Sequence, residues 1–391
     1  MKKQFSIFLC IALIFALVTG VLMPLQNIFQ LENGFLVGHE DIEIANKNDT
    51  FGSFISTHLN QKDQGVSDQK NRQGELVFKL FGFIPIRKVE VSIAADEEYY
   101  VGGVPIGISI SSNGAIVVSD EFGDSNLKEG DIITHINGED VGSLNEIQEK
   151  LQNTDGEVEV EYLRKNKLFK TLLQTRKTED GSSKLGLWVK DDVSGIGTLT
   201  FVNKETHKYG ALGHPIVETN SGNVVPVSGG KVFKCNLIGI NKGKKNDPGQ
   251  LKCVFLSNSN SKGSIDRNSK FGINGTISDI EGLVDENKTA QIGGRLAVKM
   301  GKAKIVSSIS GIQEEYEIEI IKTNYQKSAD DKSIVFRVKD KRLLELTGGI
   351  VQGMSGSPIL QEGKIVGAVT HVFLNDPAKG YGVYSDWMLT A

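Results

Sequence analysis

Close to its C-terminal end the chain reads Gly348-Gly349-Ile350-Val351-Gln352-Gly353-Met354-Ser355-Gly356-Ser357-Pro358. A serine between glycines can sit on a tight turn with its hydroxyl exposed, and small neighbours let backbone N–H groups aim at one point beside it. Acyl transfer needs both features. Pro358 and Ile359-Leu360 lead into a strand, and Gly363-Lys364-Ile365-Val366-Gly367-Ala368-Val369 reads as its hairpin return. The loop therefore stands on a β scaffold. A plain Gly/Ser-rich β-turn of an all-β protein fits the same residues.

The pattern Gly-x-Ser-Gly-x-Pro resembles the nucleophile loop of chymotrypsin-like serine proteases. That resemblance implies that Ser355 rather than Ser357 attacks, and that the N–H groups of Gly353 and Ser355 form the oxyanion hole. Met354 stands where the digestive enzymes carry an acidic residue that pairs with a newly cut N-terminus, so that zymogen switch is absent.

A serine hydroxyl needs a base to remove its proton. The chain has six histidines. His39 and His58 lie in a polar stretch, His135 belongs to another module, and His207 stands among Lys204, Glu205 and Lys208 as a solvated turn residue. His214, in Gly210-Ala211-Leu212-Gly213-His214-Pro215-Ile216 after the strand-like Ile196 to Val202, is the first candidate. Small residues before it allow close approach, and Pro215 stiffens the chain just after it. His371, after the hairpin beyond Ser355, is the alternative. For the carboxylate that orients the imidazole we take Asp340; Asp191, Asp192 and Asp376 also remain. Asp340 precedes Lys341-Arg342-Leu343-Leu344, which is equally the signature of a helix N-cap.

Gly210 to Ile216, Thr347 to Ile359, and Gly367-Ala368-Val369-Thr370-His371-Val372-Phe373 together resemble the stage IV sporulation protein B peptidases of endospore-forming bacteria, over a stretch from about Leu76 to the end. The resemblance implies a catalytic set of His214, Asp340 and Ser355. It also implies cleavage of a membrane-bound regulator of sigma-factor processing, in the space between the forespore and mother-cell membranes. A non-catalytic PDZ-containing scaffold is the alternative function.

Val104-Pro105-Ile106-Gly107-Ile108-Ser109-Ile110, Ala115 to Val118, and Leu127 to Val141 resemble a PDZ domain. Asn137-Gly138 marks a hairpin turn, Leu144, Ile147 and Leu151 recur at helical spacing, and Val158 to Tyr162 alternates as a half-buried strand. PDZ domains bind a peptide C-terminus as an added strand beside a loop of N–H donors. The resemblance maps that loop to Pro105, Ile106, Gly107 and Ile108. Its placement ahead of the protease-like region is opposite to that of the heat-shock proteases with trailing PDZ domains.

Lys2-Lys3 precedes an uncharged apolar run from Phe5 to Leu25. The run matches the ~20 residues needed to span a bilayer, and no signal-peptidase site comes after it. An uncleaved anchor with the chain beyond it outside the cytoplasm is expected. The polar residues from Gln26 onward read as a tether, exposed and held near its own active site, so self-cleavage between Gly34 and Gly74, with release of the soluble part, is expected too.

Net charge is −4 with both signs mixed, which offers no nucleic-acid footprint. Residue patterns call for neither cofactor nor metal. Cys235 and Cys253 lie in strand-like segments; an extracytoplasmic location permits a disulfide, but their spacing predicts no contact, and two small buried residues are the favoured reading. From Lys184 onward strands alternate with Gly, Asn, Asp and Ser clusters. The expected protein is mostly β: anchor over 1–25, polar linker over 26–75, PDZ domain over 76–180, and a chymotrypsin-like double β-barrel peptidase over 181–391.

Overall fold

The strand Pro105–Asp120 organises the molecule, and its two halves serve different cores. Its first half buries Ile106, Ile108 and Ile110 against Leu199, Tyr209, Val232 and Ile273. Its second half buries Ala115 and Val117 against Ile133, Ile147, Val160 and Tyr162. The antiparallel strand Leu187–Asn203 accompanies it through both, from Thr198 opposite Pro105 to Trp188 opposite Ser119. The computed structural model describes residues 23–31, 33–38, 41–43, 46, 54–61, 72–93, 97–123, 125–152, 154–178, 181–255, 260–324 and 330–390.

Between these two strands in sequence lies the PDZ unit: strands Ile132–Ile136, Glu139–Asp140, Glu157–Arg164 and Lys167–Gln174, with the helix Leu144–Leu151. Ser143 caps that helix by accepting from the Glu146 N–H, and Ile147 and Leu151 are its buried residues. Asn137 and Gly138 both take positive φ, as a two-residue hairpin turn of this kind demands. His135 sits in this module as expected, paired with Asp140 at 2.8 Å.

The first β unit pairs Val227–Lys234, Pro105–Asp120, Leu187–Asn203, Lys208–Ala211, Gly272–Thr276 and Arg267–Ser269 in that order. Gly263 pairs with Val232 on one side and bridges Ile277 on the other, which curls the sheet toward a barrel. Its strands come from both sides of the PDZ unit. The PDZ unit is thus an insertion between strands of this sheet. Pairing across a gap of some ninety positions leaves no local mark in sequence.

The second β unit is a closed six-stranded barrel: Gly301–Ser307, Glu314–Thr323, Ile334–Val338, Lys379–Tyr384, Lys364–Val372 and Pro358–Gln361. Along Glu314–Thr323, Tyr316, Ile318 and Ile320 point inward while Glu315, Glu317 and Glu319 are less buried. Burying each inward side chain contributes about 1.5–3 kcal/mol. Strand propensities span only ~1 kcal/mol, so the inward alternation sets the register.

The residues expected as a tether include structured ones. Helix Met23–Gln30 and strands Phe35–Val37, Ile55–Gln61, Arg72–Leu80 and Ile84–Ile93 share a core that contains Ile28, Phe35, Leu76 and Phe78, and the strands form a four-stranded sheet. Buried Asp41 accepts from the Gly38 and Gly294 N–H groups, each at 2.9 Å, and pairs with Lys364 Nζ at 3.2 Å. Polar composition concealed this because short strands need few apolar residues when a neighbouring domain completes their core. Most of the apolar run Phe5 to Leu25, and His39, lie outside the described residues. Among the described residues no helix is long and apolar enough to cross a membrane.

Candidate active site

The helix Lys341–Thr347 opens the nucleophile loop. Asp340 caps its first turn by accepting from the Arg342 N–H, and Gly348 ends it in the left-handed conformation at φ 76°. Ile350, Val351 and Met354 then sink into the barrel core, which leaves Ser355 half-buried at the surface between them and the next strand. Met354 is therefore a packing residue here, consistent with its missing charge.

The first β unit holds this loop from across the cleft. The Thr198 N–H donates to the Ser355 carbonyl at 2.9 Å, Thr198 Oγ1 donates to the Gly353 carbonyl at 2.7 Å, and Thr200 Oγ1 donates to the Gly356 carbonyl at 2.8 Å. Gly356 is obligatory at this contact. Its φ is 98°, and a Cβ there would lie 2.0 Å from the Thr198 carbonyl oxygen. Thr198 and Thr200 were not singled out from sequence; the only signal was a threonine on alternate positions of a strand already assigned.

The N–H groups of the loop divide into used and unused. Those of Gln352, Met354, Gly356 and Ser357 donate to the carbonyls of Gly249, Val351, Val369 and Met354. Among the described residues, those of Gly353 and Ser355 donate to none. These are the two N–H groups expected to receive an oxyanion. Beside them, Gln352 joins Ile240, Lys242 and Gln250 in lining a cleft of about 640 Å³.

Three candidate side chains gather around Thr370 of the second barrel. Ser355 Oγ donates to the Thr370 carbonyl at 2.8 Å. Gly213, just before His214, faces the Thr370 methyl group, with the position of a Cβ only 3.0 Å from it. His214 and His371 have ring centroids 5.2 Å apart. The histidine from one β unit and the serine from the other are thus both brought beside Thr370. In this conformation the serine hydroxyl bonds a carbonyl rather than an imidazole, a common state for an unliganded site.

His214 Nδ1 lies 2.9 Å from the Pro215 carbonyl oxygen. A carbonyl only accepts, so Nδ1 carries the hydrogen and Nε2 keeps its lone pair. Burial holds the pKa of His214 below the ordinary histidine value, with the Pro215 hydrogen bond opposing. His371 is pushed down to about 4, by burial first and then by His214 beside it. Its Nδ1 has no hydrogen-bond partner among the described residues, and Asp331 Oδ2 stands 3.9 Å away, beyond hydrogen-bond reach. Burial, followed by the neighbouring Asp330, pushes Asp331 up to about 6.

Asp340 does not join this group, contrary to the expectation that it orients His214. Its oxygens accept from the Arg342 N–H at 2.9 Å, from Arg342 Nη2 at 2.9 Å and from the Glu317 N–H at 3.3 Å. Arg342 holds its carboxyl below the usual range. The N-cap alternative describes it. The other three carboxylates are engaged elsewhere or exposed: Asp191 with the Leu144 N–H, Asp376 with Arg337, and Asp192 in the ribbon entering the PDZ unit.

The expected peptide-binding loop also lies elsewhere. Ile106 pairs with Gly197 on one edge and with Lys234 on the other, and Ile108 with Gly195 and Val232. Ile106, Gly107 and Ile108 are thus mid-sheet residues, and Pro105 is paired with Thr198. With both edges occupied, no peptide strand can add there.

A serine on a sharp turn of one β unit, with a histidine of the other unit brought beside the same residue, suits a serine peptidase. The family model described as SpoIVB peptidase S55 matches residues 181–389, over half of the chain, and the chain belongs to that family. A PDZ-domain model matches residues 126–164. Among solved structures, the PDZ domain of the SdrC-like protein from Listeria monocytogenes is similar at 20% identity over 20% of this chain and 90% of that one, with a TM-score of 0.18. Among curated proteins none matches.

Proposed function

We propose that this peptidase is a membrane-anchored, extracytoplasmic endopeptidase of endospore formation, built as a chymotrypsin-like pair of barrels. It acts on itself within residues 34–74 and on a membrane-bound regulator of sigma-factor processing. Family membership and the apolar run Phe5 to Leu25 support the setting. One observation carries the chemistry: His214 and Ser355, from different β units, converge at Thr370 beside two uncommitted N–H groups.

In the proposed reaction Ser355 Oγ turns from the Thr370 carbonyl toward His214 Nε2, which takes its proton as Oγ attacks the substrate carbonyl carbon. The oxygen that becomes negative is received by the Gly353 and Ser355 N–H groups. His214 returns the proton to the leaving amine, and water then repeats the sequence to free the enzyme. The Pro215 carbonyl holds His214 in the tautomer this requires. Asp340 acts at one remove, by capping the helix that leads into the loop.

Ser355→Ala tests the assignment. We expect peptidase activity and labelling by a fluorophosphonate probe to be lost, with the circular dichroism spectrum retained and only the uncut form present in sporulating cells. The scaffold reading takes its support from the Ser355–Thr370 hydrogen bond, which leaves the hydroxyl unactivated. It would prevail if the wild-type protein failed to label.

A further inference from the structure

Cys235 and Cys253 stand apart from the catalytic site, which uses neither. Cys235 comes directly after the first-unit strand Val227–Lys234 and is buried; Cys253 is partly exposed on strand Gln250–Val254. The hairpin made by Asn236–Asn241 and Gln250–Val254 places Leu237 opposite Cys253 and Asn236 opposite Val254. Cys235 and Cys253 are thus diagonal neighbours on one face of the hairpin. The two thiols are near enough that each shifts the ionisation of the other.

Their surroundings give the contact a consequence. Cys253, Leu237 and Ile240 pack against the core of the second barrel, whereas the strand before Cys235 belongs to the first. Two residues before Cys253, the Leu251 N–H donates to the Gln352 carbonyl at 2.9 Å, and the Leu251 side chain lies under Gly353. A cross-link between the cysteines would fasten the hairpin that supports the oxyanion end of the nucleophile loop.

We infer that Cys235 and Cys253 are a dithiol site that closes to a disulfide on meeting a thiol–disulfide oxidant, clamping the Asn236–Val254 hairpin beneath the nucleophile loop. Cys253 acts first, because it is the more exposed of the two. Its thiolate attacks one sulfur of the oxidant's disulfide, whose other sulfur leaves as a thiolate and takes up a proton. The Cys235 thiol then loses its proton and displaces the oxidant's remaining sulfur. The cysteine pair gives up two electrons and two protons, and the oxidant departs as a dithiol.

The test treats the full chain with oxidised glutathione or with dithiothreitol, alkylates free thiols and maps the peptides by mass. After oxidised glutathione we expect a linked Cys235–Cys253 peptide resistant to alkylation; after dithiothreitol, both residues alkylated. Tm should fall by a few degrees on reduction, and the Cys235→Ser variant, unable to resolve the intermediate, should accumulate glutathione on Cys253. Complete alkylation of both residues after oxidised glutathione would overturn the inference, as would a stable glutathione adduct in the wild type. A linked peptide with an unchanged Tm would overturn the clamp.

Discussion

The two β units differ in how they are assembled. The second is a closed barrel whose strands all lie between Gly301 and Tyr384, joined by short connections except where the helix Lys341–Thr347 and the serine loop link Val338 to Pro358. The first is split, with Tyr99–Val101 and the start of Pro105–Asp120 on one side of the PDZ insertion and the rest on the other. The proposed catalytic machinery divides in the same way: the contiguous barrel supplies the serine loop, and the split unit supplies His214 and the threonines that hold that loop. An antiparallel ribbon through both sheets joins the PDZ unit directly to the strand that bonds Ser355. A fold divided like this depends on the ribbon for its active-site geometry.

The sharpest test of that division is at the histidines. His214→Ala should lower kcat/KM by 10²–10⁴-fold, the scale of a lost general base, whereas His371→Ala should retain most activity and fluorophosphonate labelling. The reverse outcome would move the base into the same barrel as the serine. Because burial lowers the pKa of His214, its neutral form persists below the ordinary value of 6.5. The acid limb of the pH profile of kcat/KM should therefore fall below pH 6.5; a limb at or above it would reject His214 as the buried base.

Gly356→Ala tests the contact between the units. A Cβ against the Thr198 carbonyl, together with a positive φ, should cost roughly 3–5 kcal/mol in urea unfolding. A loss under 1 kcal/mol would mean that the loop and the first unit are not in close contact.

The smallest expected effect is at Asp340. Asp340→Ala removes a helix cap, so stability should drop by about 1 kcal/mol at neutral pH. Its folded-state pKa is depressed by Arg342, so the wild type's advantage is present above the unfolded carboxylate value and fades as pH falls through the lower folded one. Activity should fall far less than in the His214 variant; an equal fall would restore Asp340 to the orienting role.

Ser355, Gly353 and Gly356 were legible because a tight turn with a close backbone contact admits few residue types. His214 was legible from its small neighbours and from pairing with a nucleophile. The PDZ helix Leu144–Leu151 and the Asn137-Gly138 turn were legible from periodicity and turn chemistry. Asp340 misled because a capping carboxylate and an orienting one share the same local sequence. Thr198 and Thr200 stayed hidden because strand residues show no sign of what they bond across a cleft.

By itself, then, the sequence determined the local pieces: the glycine turn carrying Ser355, the hairpins of the second barrel and the PDZ segments. All of these stem from backbone sterics and side-chain alternation within a few residues. Only the tertiary structure decided that the PDZ unit interrupts a β sheet, that Ile106 to Ile108 are sealed on both edges, and that His214 and Ser355 are both brought beside Thr370. Those depend on pairing between distant strands, which is settled by the burial of whole faces and leaves no signature in any short stretch of chain.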